Sequence, residues 1–244
     1  MGSLTRAGFT VALIGPDGAG KTTIARALDS ELPFPVAYLY MGVNPDSSNH
    51  LLFTTRVVHA LRRRRGGRPD TVGPRDSRES EAIAPRGFAR RNLRSARSFV
   101  RLGNRLAEEW HRAILATLHR RRGDVVIFDR HFFADYFAYD IAAKPRRTAS
   151  RRLHGFVLSR LYPKPDLVIY LDAPAEVLFE RKGEGTVESL ERRRREYLEL
   201  GKVLDGFTVV DASRPVEAVT RDVVARIEAY SRRRGFATQE RVHS

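Results

Sequence analysis

Cysteine is absent from this chain of 244 residues. That excludes disulfides, thiolate metal centres and cysteine nucleophiles, and leaves any metal to oxygen or imidazole ligands. Long apolar runs are also missing. The longest, such as Val125-Val126-Ile127-Phe128, have the length of a strand and fall far short of the ~20 residues a membrane span requires. Met1 to Arg6 lacks the charged-then-apolar layout of a signal peptide, and Arg6 stands where a myristoylation pattern needs Ser or Thr, so a cytoplasmic location is expected. The seven histidines show no His-x-x-x-His or His-Glu-x-x-His spacing, which leaves no zinc signature. There is no internal repeat.

What remains is a globular composition, 42% hydrophobic and 30% charged, with a net charge of +15. At roughly 100–200 residues per domain the chain has room for one large α/β domain, and it is long enough to bury a substantial core. Four short apolar runs, Thr10 to Ile14, Val36 to Met41, Val125 to Phe128 and Leu167 to Leu171, have the pattern of strands buried on both faces, with a weaker fifth at Phe207 to Val210. Helix-like stretches separate them: Lys21 to Glu31, a piece near Leu51 to Arg65, Phe88 to Arg122, Phe132 to Ala143, Arg151 to Arg160, Ala175 to Arg181, Val187 to Leu200 and Val216 to Tyr230. Strands alternating with helices predict βαβ units, and hence a three-layer α/β/α fold around a five-stranded parallel sheet. Gly66 to Pro85, with three prolines among Arg, Asp and Ser, breaks both periodicities and reads as a loop within one fold. A single domain over 1–231 is expected, with a basic insertion at about 64–122 and a flexible polar tail at 232–244.

Gly15-Pro16-Asp17-Gly18-Ala19-Gly20-Lys21-Thr22 fits G-x-x-x-x-G-K-[ST], and it follows a predicted strand and opens a predicted helix. Glycines there let successive backbone N–H groups and the positive helix end face a polyphosphate. Lys21 adds charge at the β/γ-phosphates, Thr22 offers a hydroxyl to Mg²⁺, and Thr23 is placed for the α-phosphate. This is the phosphate loop of a P-loop NTPase fold. The loop alone does not distinguish GTPases, motors, transport ATPases and small-molecule kinases, although no Asn-Lys-x-Asp guanine-reading sequence occurs. Asp129-Arg130-His131 supplies a candidate second anion site at the C-terminal end of a strand, where doubly wound sheets place ligands. A structural ion pair at a strand end is the alternative for Asp129 and Arg130.

The phosphate loop at 15–23, Asp129-Arg130-His131, the run from Pro165 to Asp172 followed by Glu176 and Arg181, and Asp211-Ala212-Ser213-Arg214-Pro215 resemble thymidylate kinases in order and spacing. The resemblance covers most of the chain and is weakest from about 42 to 122. It implies a nucleoside monophosphate kinase-like phosphotransferase that moves the γ-phosphoryl of ATP, with Mg²⁺, to dTMP or a related small phosphorylated acceptor. By the same resemblance, Asp17 faces the acceptor's 3′-hydroxyl and Asp129 orders the Mg²⁺ site together with Thr22. Arg130 grips the acceptor phosphate. Arg181 packs on adenine, with Ala212, Ser213, Arg214 and Pro215 on its other side, so the ATP set is Gly15, Asp17, Gly18, Ala19, Gly20, Lys21, Thr22, Thr23, Arg181 and Ser213 to Pro215. The segment from about 181 to 195 resembles the family's mobile helical lid, where Lys182 and one or two of Arg192 to Arg195 are the catalytic candidates. Four consecutive arginines cannot all face one way on a helix, since neighbours stand ~100° apart, so at least two belong to a solvated face. The resemblance also places a base-reading Phe and Arg on the long middle helix. Phe99, Arg101 and Arg105 are the candidates there, with ordinary helix positions the alternative. Homodimer formation is a further implication.

One departure bears on the acceptor. Thymidylate kinases carry an Arg-Glu-Pro-Gly segment after the second strand, whereas this chain has Met41-Gly42-Val43-Asn44-Pro45, without the cation. A different acceptor, such as a modified nucleotide, a sugar or a glycan precursor, is therefore the second reading. Residues 56–122 hold 19 arginines against six acidic residues, which accounts for thirteen of the fifteen net positive charges. That excess could attract nucleic acid or an anionic membrane, and an ATPase acting on nucleic acid is the third reading. Stacking aromatics are too sparse to favour it, and Phe88, Phe99 and Trp110 read as core positions of an amphipathic helix. Phe132, Phe133, Tyr136, Phe137 and Tyr139 read either as core or as a cover over an acceptor ring. Asp172 and Glu176 read as carboxylates that complement a helix dipole.

Overall fold

In a computed structural model of the chain, the residues described are 7–41, 88–137 and 149–236, with side chains of 88–101 and Ala149 excepted. Five strands, β1 (Thr10–Ile14), β2 (Val36–Tyr40), β3 (Val125–Asp129), β4 (Leu167–Asp172) and β5 (Phe207–Asp211), form one sheet in the order β2-β3-β1-β4-β5. Every pairing is parallel, with Thr10 opposite Val126 and Val11 opposite Leu167 flanking the central strand. The sequence dictates which strands sit inside. β1 and β3 are buried at every position, whereas β5, at an edge, buries only Val210.

Helices cover both faces, as the crossovers of a parallel sheet require. They are α1 (Lys21–Glu31), α2 (Phe88–Arg122), α3 (Phe132–Tyr136), α4 (Ala149–Arg160), α5 (Ala175–Lys182), α6 (Val187–Gly201) and α7 (Val216–Arg233). Alternate residues of β1 divide the core: Val11 and Leu13 pack with α1 and α7, while Ala12 and Ile14 pack with Phe128, Phe132 and Leu158 on the other face. α7 buries Val219, Val223 and Ile227, spaced four residues apart on one side. α6 begins at a reciprocal cap in which Thr186 and Ser189 each accept from the other's backbone N–H.

The predicted strands match those observed to within one residue. Of the predicted helix from Phe132 to Ala143, the structure describes the turn Phe132–Tyr136 and the π-type residue Phe137; the rest, like the Leu51 to Arg65 piece and the Gly66 to Pro85 loop, lies outside the described residues. Two expectations need correction. Trp110 is not a core position: it is 40% exposed and touches Tyr162 edge-on. The packed chain also continues past 231. Phe236 packs edge-on against Phe9 and Phe34, and the Arg234 guanidinium donates to Asp166 at 2.8 Å, because an aromatic five residues beyond the last buried helix turn folds back onto β1.

Candidate active site

The candidate residues converge at the C-terminal ends of β1 and β3, beside the point where the chain passes to either side of β1. Directly after β1, the loop turns through three glycines with positive φ: Gly15, Gly18 and Gly20. A Cβ at Gly15 would lie 2.7 Å from the Leu171 carbonyl oxygen, and one at Gly18 would lie 2.7 Å from that of Leu178, so the loop is pressed against β4 and α5 where only glycine fits. Gly20 is the left-handed N-cap of α1, which aims the unbonded N–H groups of the first turn into the loop.

Lys21 is 6% exposed. Its ammonium donates to the Gly15 and Pro16 carbonyl oxygens at 2.8 and 2.7 Å and lies 3.9 Å from Asp17. Burial, reinforced by the Arg130 charge and only partly opposed by Asp17, Asp129 and Asp135, pushes its pKa down to about 8. Thr22 donates its hydroxyl to Asp129 Oδ2 at 2.6 Å, and Tyr38 donates to the same oxygen at 3.0 Å. The other oxygen of Asp129, Oδ1, is buried with no hydrogen-bond partner. A fully buried carboxylate with one orphan oxygen beside a threonine hydroxyl is a donor set suited to Mg²⁺, which takes few protein oxygens and completes its shell with phosphate and water. Among the described residues no cluster of three or more His, Cys, Asp or Glu side chains could by itself hold a metal.

Arg130 has φ 72°, the one non-glycine with positive φ among the described residues. Such a conformation costs ~1 kcal/mol or more and is characteristic of functional turns. It swings the guanidinium back to donate to Asp17 Oδ1 at 2.6 Å. Burial raises the Asp17 pKa, but Lys21, Arg130 and Lys182 together outweigh it and hold this carboxylate well below its usual range. Lys182 Nζ lies 3.9 Å from Asp17 and 3.0 Å from Glu184. Arg181 donates to the Ala212 and Ser213 carbonyl oxygens at 2.7 and 3.2 Å, so the pair expected around one base is adjacent. Arg214 pairs with Asp222 of α7 and donates to the Asp211 carbonyl at 3.3 Å. Pro215 caps α7, and Ser213 bonds Asp211 through its N–H and its hydroxyl.

On the segment read as a lid, Arg192 and Arg195 are exposed, while Arg193 and Arg194 turn inward. Arg194 makes a fork-like pair with Asp172 at 2.7 and 2.9 Å. Asp172 therefore holds a helix arginine rather than merely complementing a dipole, because β4 ends beside the inner face of α6. Arg105 stacks over the Tyr136 ring at 4.9 Å, whereas the side chain of Phe99 lies outside the described residues. His131 caps α3 by accepting from the Phe133 N–H at 3.3 Å, and burial pushes its pKa down to about 3, so it serves structure as a neutral ring. Phe132, Phe133 and Tyr136 are buried core.

Tyr38, Asp135, Tyr197 and the inward arginine pair are contacts that the motifs did not reveal. A signal existed in β2, whose Tyr38-Leu39-Tyr40 alternation puts two polar-tipped rings on one face.

The family model for thymidylate kinase matches residues 105–223. A probable thymidylate kinase of Thermococcus gammatolerans is 28% identical over 231 residues, spanning 91% of this chain and 96% of that protein. The thymidylate kinase of Xanthomonas oryzae pv. oryzae is 29% identical over 230 residues, 91% of this chain and 84% of the relative. That of Thermosipho africanus is 27% identical over 121 residues, 46% of this chain and 59% of the relative.

Proposed function

We infer that this chain, which is related to the thymidylate kinases in sequence and is an enzyme of the nucleoside monophosphate kinase type, transfers the γ-phosphoryl of ATP to a nucleoside monophosphate, dTMP or a close relative. The observation that carries the reading is the joining of the phosphate loop to a second, arginine-bearing strand end: Thr22 bonds Asp129 while Arg130 bonds Asp17.

In the proposed reaction ATP lies with its phosphates over the loop N–H groups and the α1 N-terminus, with Thr23 near the α-phosphate. Lys21 exchanges its two loop carbonyls for the β/γ-phosphates. Thr22 and Asp129 would hold Mg²⁺, which neutralises phosphate charge when bound. Arg181 and the Ala212 to Pro215 loop flank the adenine. Arg130 receives the acceptor's phosphate, Asp17 its sugar hydroxyl, and Lys182 adds charge beside the transferred group. Positioning and charge neutralisation account for most of the rate, as in phosphoryl transfer generally. Phe99 and Arg105 are the proposed base-side residues on α2.

A second reading, phosphorylation of a modified nucleotide, a sugar or a glycan precursor, is supported by the sequence Met41-Gly42-Val43-Asn44-Pro45, which lacks the family's acceptor arginine. Release of ADP from Mg–ATP, measured against thymidine, deoxyuridine, cytidine and purine monophosphates and without acceptor, separates the readings. Turnover with one nucleoside monophosphate supports the first, and rates equal to the acceptor-free control with all of them refute it. No helix among the described residues is long and apolar enough to cross a membrane. Trp110, Ile114 and Leu118, spaced four residues apart on α2, are exposed, as are Leu153 and Phe156 on α4, which packs against α2, and exposed apolar side chains of this kind support a homodimer. Light scattering on the eluted protein tests it, a mass of twice 27.7 kDa being expected.

A further inference from the structure

Tyr38 has no part in the reaction just described, yet its hydroxyl reaches the carboxylate assigned to the metal. β2 runs parallel to β3 with Tyr38 beside Ile127 and Tyr40 beside Asp129, so Tyr38 stands two residues short of Asp129 along the strand pair. Its ring packs, partly buried, on the core layer that contains Leu13, Ile24 and Leu28. The same layer carries α1, and with it Thr22. From there the phenol donates to Asp129 Oδ2 at 3.0 Å, the oxygen that already accepts from the Thr22 hydroxyl at 2.6 Å. Asp129 is fully buried, and its Oδ1 meets no donor among the described residues.

A tyrosine that served only to settle a buried charge would be expected on the oxygen without a donor, since a carboxylate offers about four lone-pair sites over its two oxygens. Both hydroxyls instead converge on Oδ2, from α1 and from β2. Such a pair fixes the rotation of the carboxylate and leaves Oδ1 as the acceptor still open to a cation or to water bound on one. It also governs Thr22. A hydroxyl has one proton and two lone pairs, so Thr22 can serve a metal only while its proton is committed elsewhere, and Asp129 Oδ2 takes that proton. We propose that Tyr38 is a positioning residue for the divalent cation of phosphoryl transfer, acting through Asp129 by locking the carboxylate in the rotation that draws the Thr22 proton away from the metal. This rests on the reading of Thr22 and Asp129 as the Mg²⁺ side of the site. Groups that hold a metal-binding side chain in place commonly matter about 10–100-fold in metal affinity.

The test uses Mn²⁺, whose free-ion electron-spin-resonance signal falls on binding, titrated into the full chain in excess over the non-hydrolysable β,γ-methylene analogue of ATP. Tyr38→Phe, which removes only the hydroxyl, should weaken Mn²⁺ binding in this complex about tenfold. Replacing Tyr38 with 4-aminophenylalanine, which keeps a donor at the same end of the ring, should return the affinity close to that of the wild type. Asp129→Asn should weaken binding on its own, and adding Tyr38→Phe to it should cost nothing more. In turnover, Tyr38→Phe should raise the Mg²⁺ concentration that gives half the maximal rate and leave the KM for the acceptor unchanged. Wild-type Mn²⁺ affinity in Tyr38→Phe overturns the proposal, as does a loss that the amine fails to restore or one that adds to that of Asp129→Asn. A purely structural tie would lower the thermal midpoint and leave the metal titration unmoved, which also overturns it. Should Tyr38→Phe fold poorly, 4-methylphenylalanine at this position, which refills the space of the hydroxyl without a donor, takes its place. The two readings fail separately. A wild type that binds Mn²⁺ in this hydroxyl-dependent way and phosphorylates no nucleoside monophosphate removes the acceptor assignment and leaves Tyr38 in its role. Turnover together with an unshifted Tyr38→Phe titration removes the role of Tyr38 alone.

Discussion

Lys21 offers a prediction in which stability and activity move apart. Its ammonium is buried, and its pKa falls from 10.5 to about 8. Between those values the unfolded chain binds more protons than the folded one, so stability rises with pH across that window; below pH 8 the buried charge is a standing cost. At 1.36 kcal/mol per unit, the cost is ~3 kcal/mol at pH 7 and falls by ~2 kcal/mol on going to pH 9.5. Lys21→Met, similar in length and uncharged, removes this dependence. The expected result is a wild type that gains ~2 kcal/mol relative to Lys21→Met between pH 7 and 9.5, read from paired urea denaturations at each pH. Comparing the two proteins cancels the tyrosines, Tyr38 and Tyr170 among them, whose burial raises their pKa and gives the opposite slope at higher pH. Loss of the lysine should also lower kcat by at least ~10³, as removal of a transition-state cation does elsewhere. Parallel stability curves for the two proteins would show that Lys21 carries no buried-charge cost, and wild-type turnover in the variant would remove it from the phosphate site.

Other perturbations follow from the same geometry. Arg130→Ala should cost ~10²-fold in kcat/KM for the acceptor, while Arg130→Gly, equally devoid of the guanidinium, should unfold at a higher temperature than the alanine variant by the equivalent of ~1 kcal/mol, because the backbone at φ 72° suits glycine; equal midpoints would contradict this. Gly18→Ala should destabilise by ~2 kcal/mol or more and abolish ATP binding, since its Cβ would press on the Leu178 carbonyl in a left-handed conformation; calorimetry with ATP checks both. His131 has a folded pKa of about 3, below its unfolded value, so stability falls as pH drops from 6.5 toward 3, and His131→Asn, which can still cap α3, should unfold at a lower pH. Phe236→Ala should cost ~2 kcal/mol in denaturant, through the lost contacts with Phe9 and Phe34.

The sheet was legible because parallel strands buried on both faces leave continuous apolar runs. The phosphate loop was legible because glycines at a crowded turn, followed by Lys-Thr and a helix, have few other uses. Asp129 and Arg130 could be located as a strand-end pair, but the left-handed turn that brings Arg130 onto Asp17 is set by tertiary packing and leaves no local mark. Four successive arginines could be divided by helical periodicity into inward and outward pairs; that Arg193 and Arg194 are the inward pair depends on where Asp135 and Asp172 stand, ~20–60 residues away in sequence. Phe236 looked like part of a polar tail because one aromatic among charged neighbours has no periodicity. Its partner surface, Phe9 and Phe34, is assembled only by the fold.

Phosphoryl transfer from ATP to a nucleoside monophosphate is proposed to take place on this one loop and strand pair. The most direct test is to incubate purified protein with Mg²⁺, ATP labelled at the γ-phosphate and dTMP, in parallel with Lys21→Met, and to separate the nucleotides. Label is expected in the nucleoside diphosphate with the wild type and none with the variant. Label recovered only as inorganic phosphate, or an equal yield from both proteins, would contradict it.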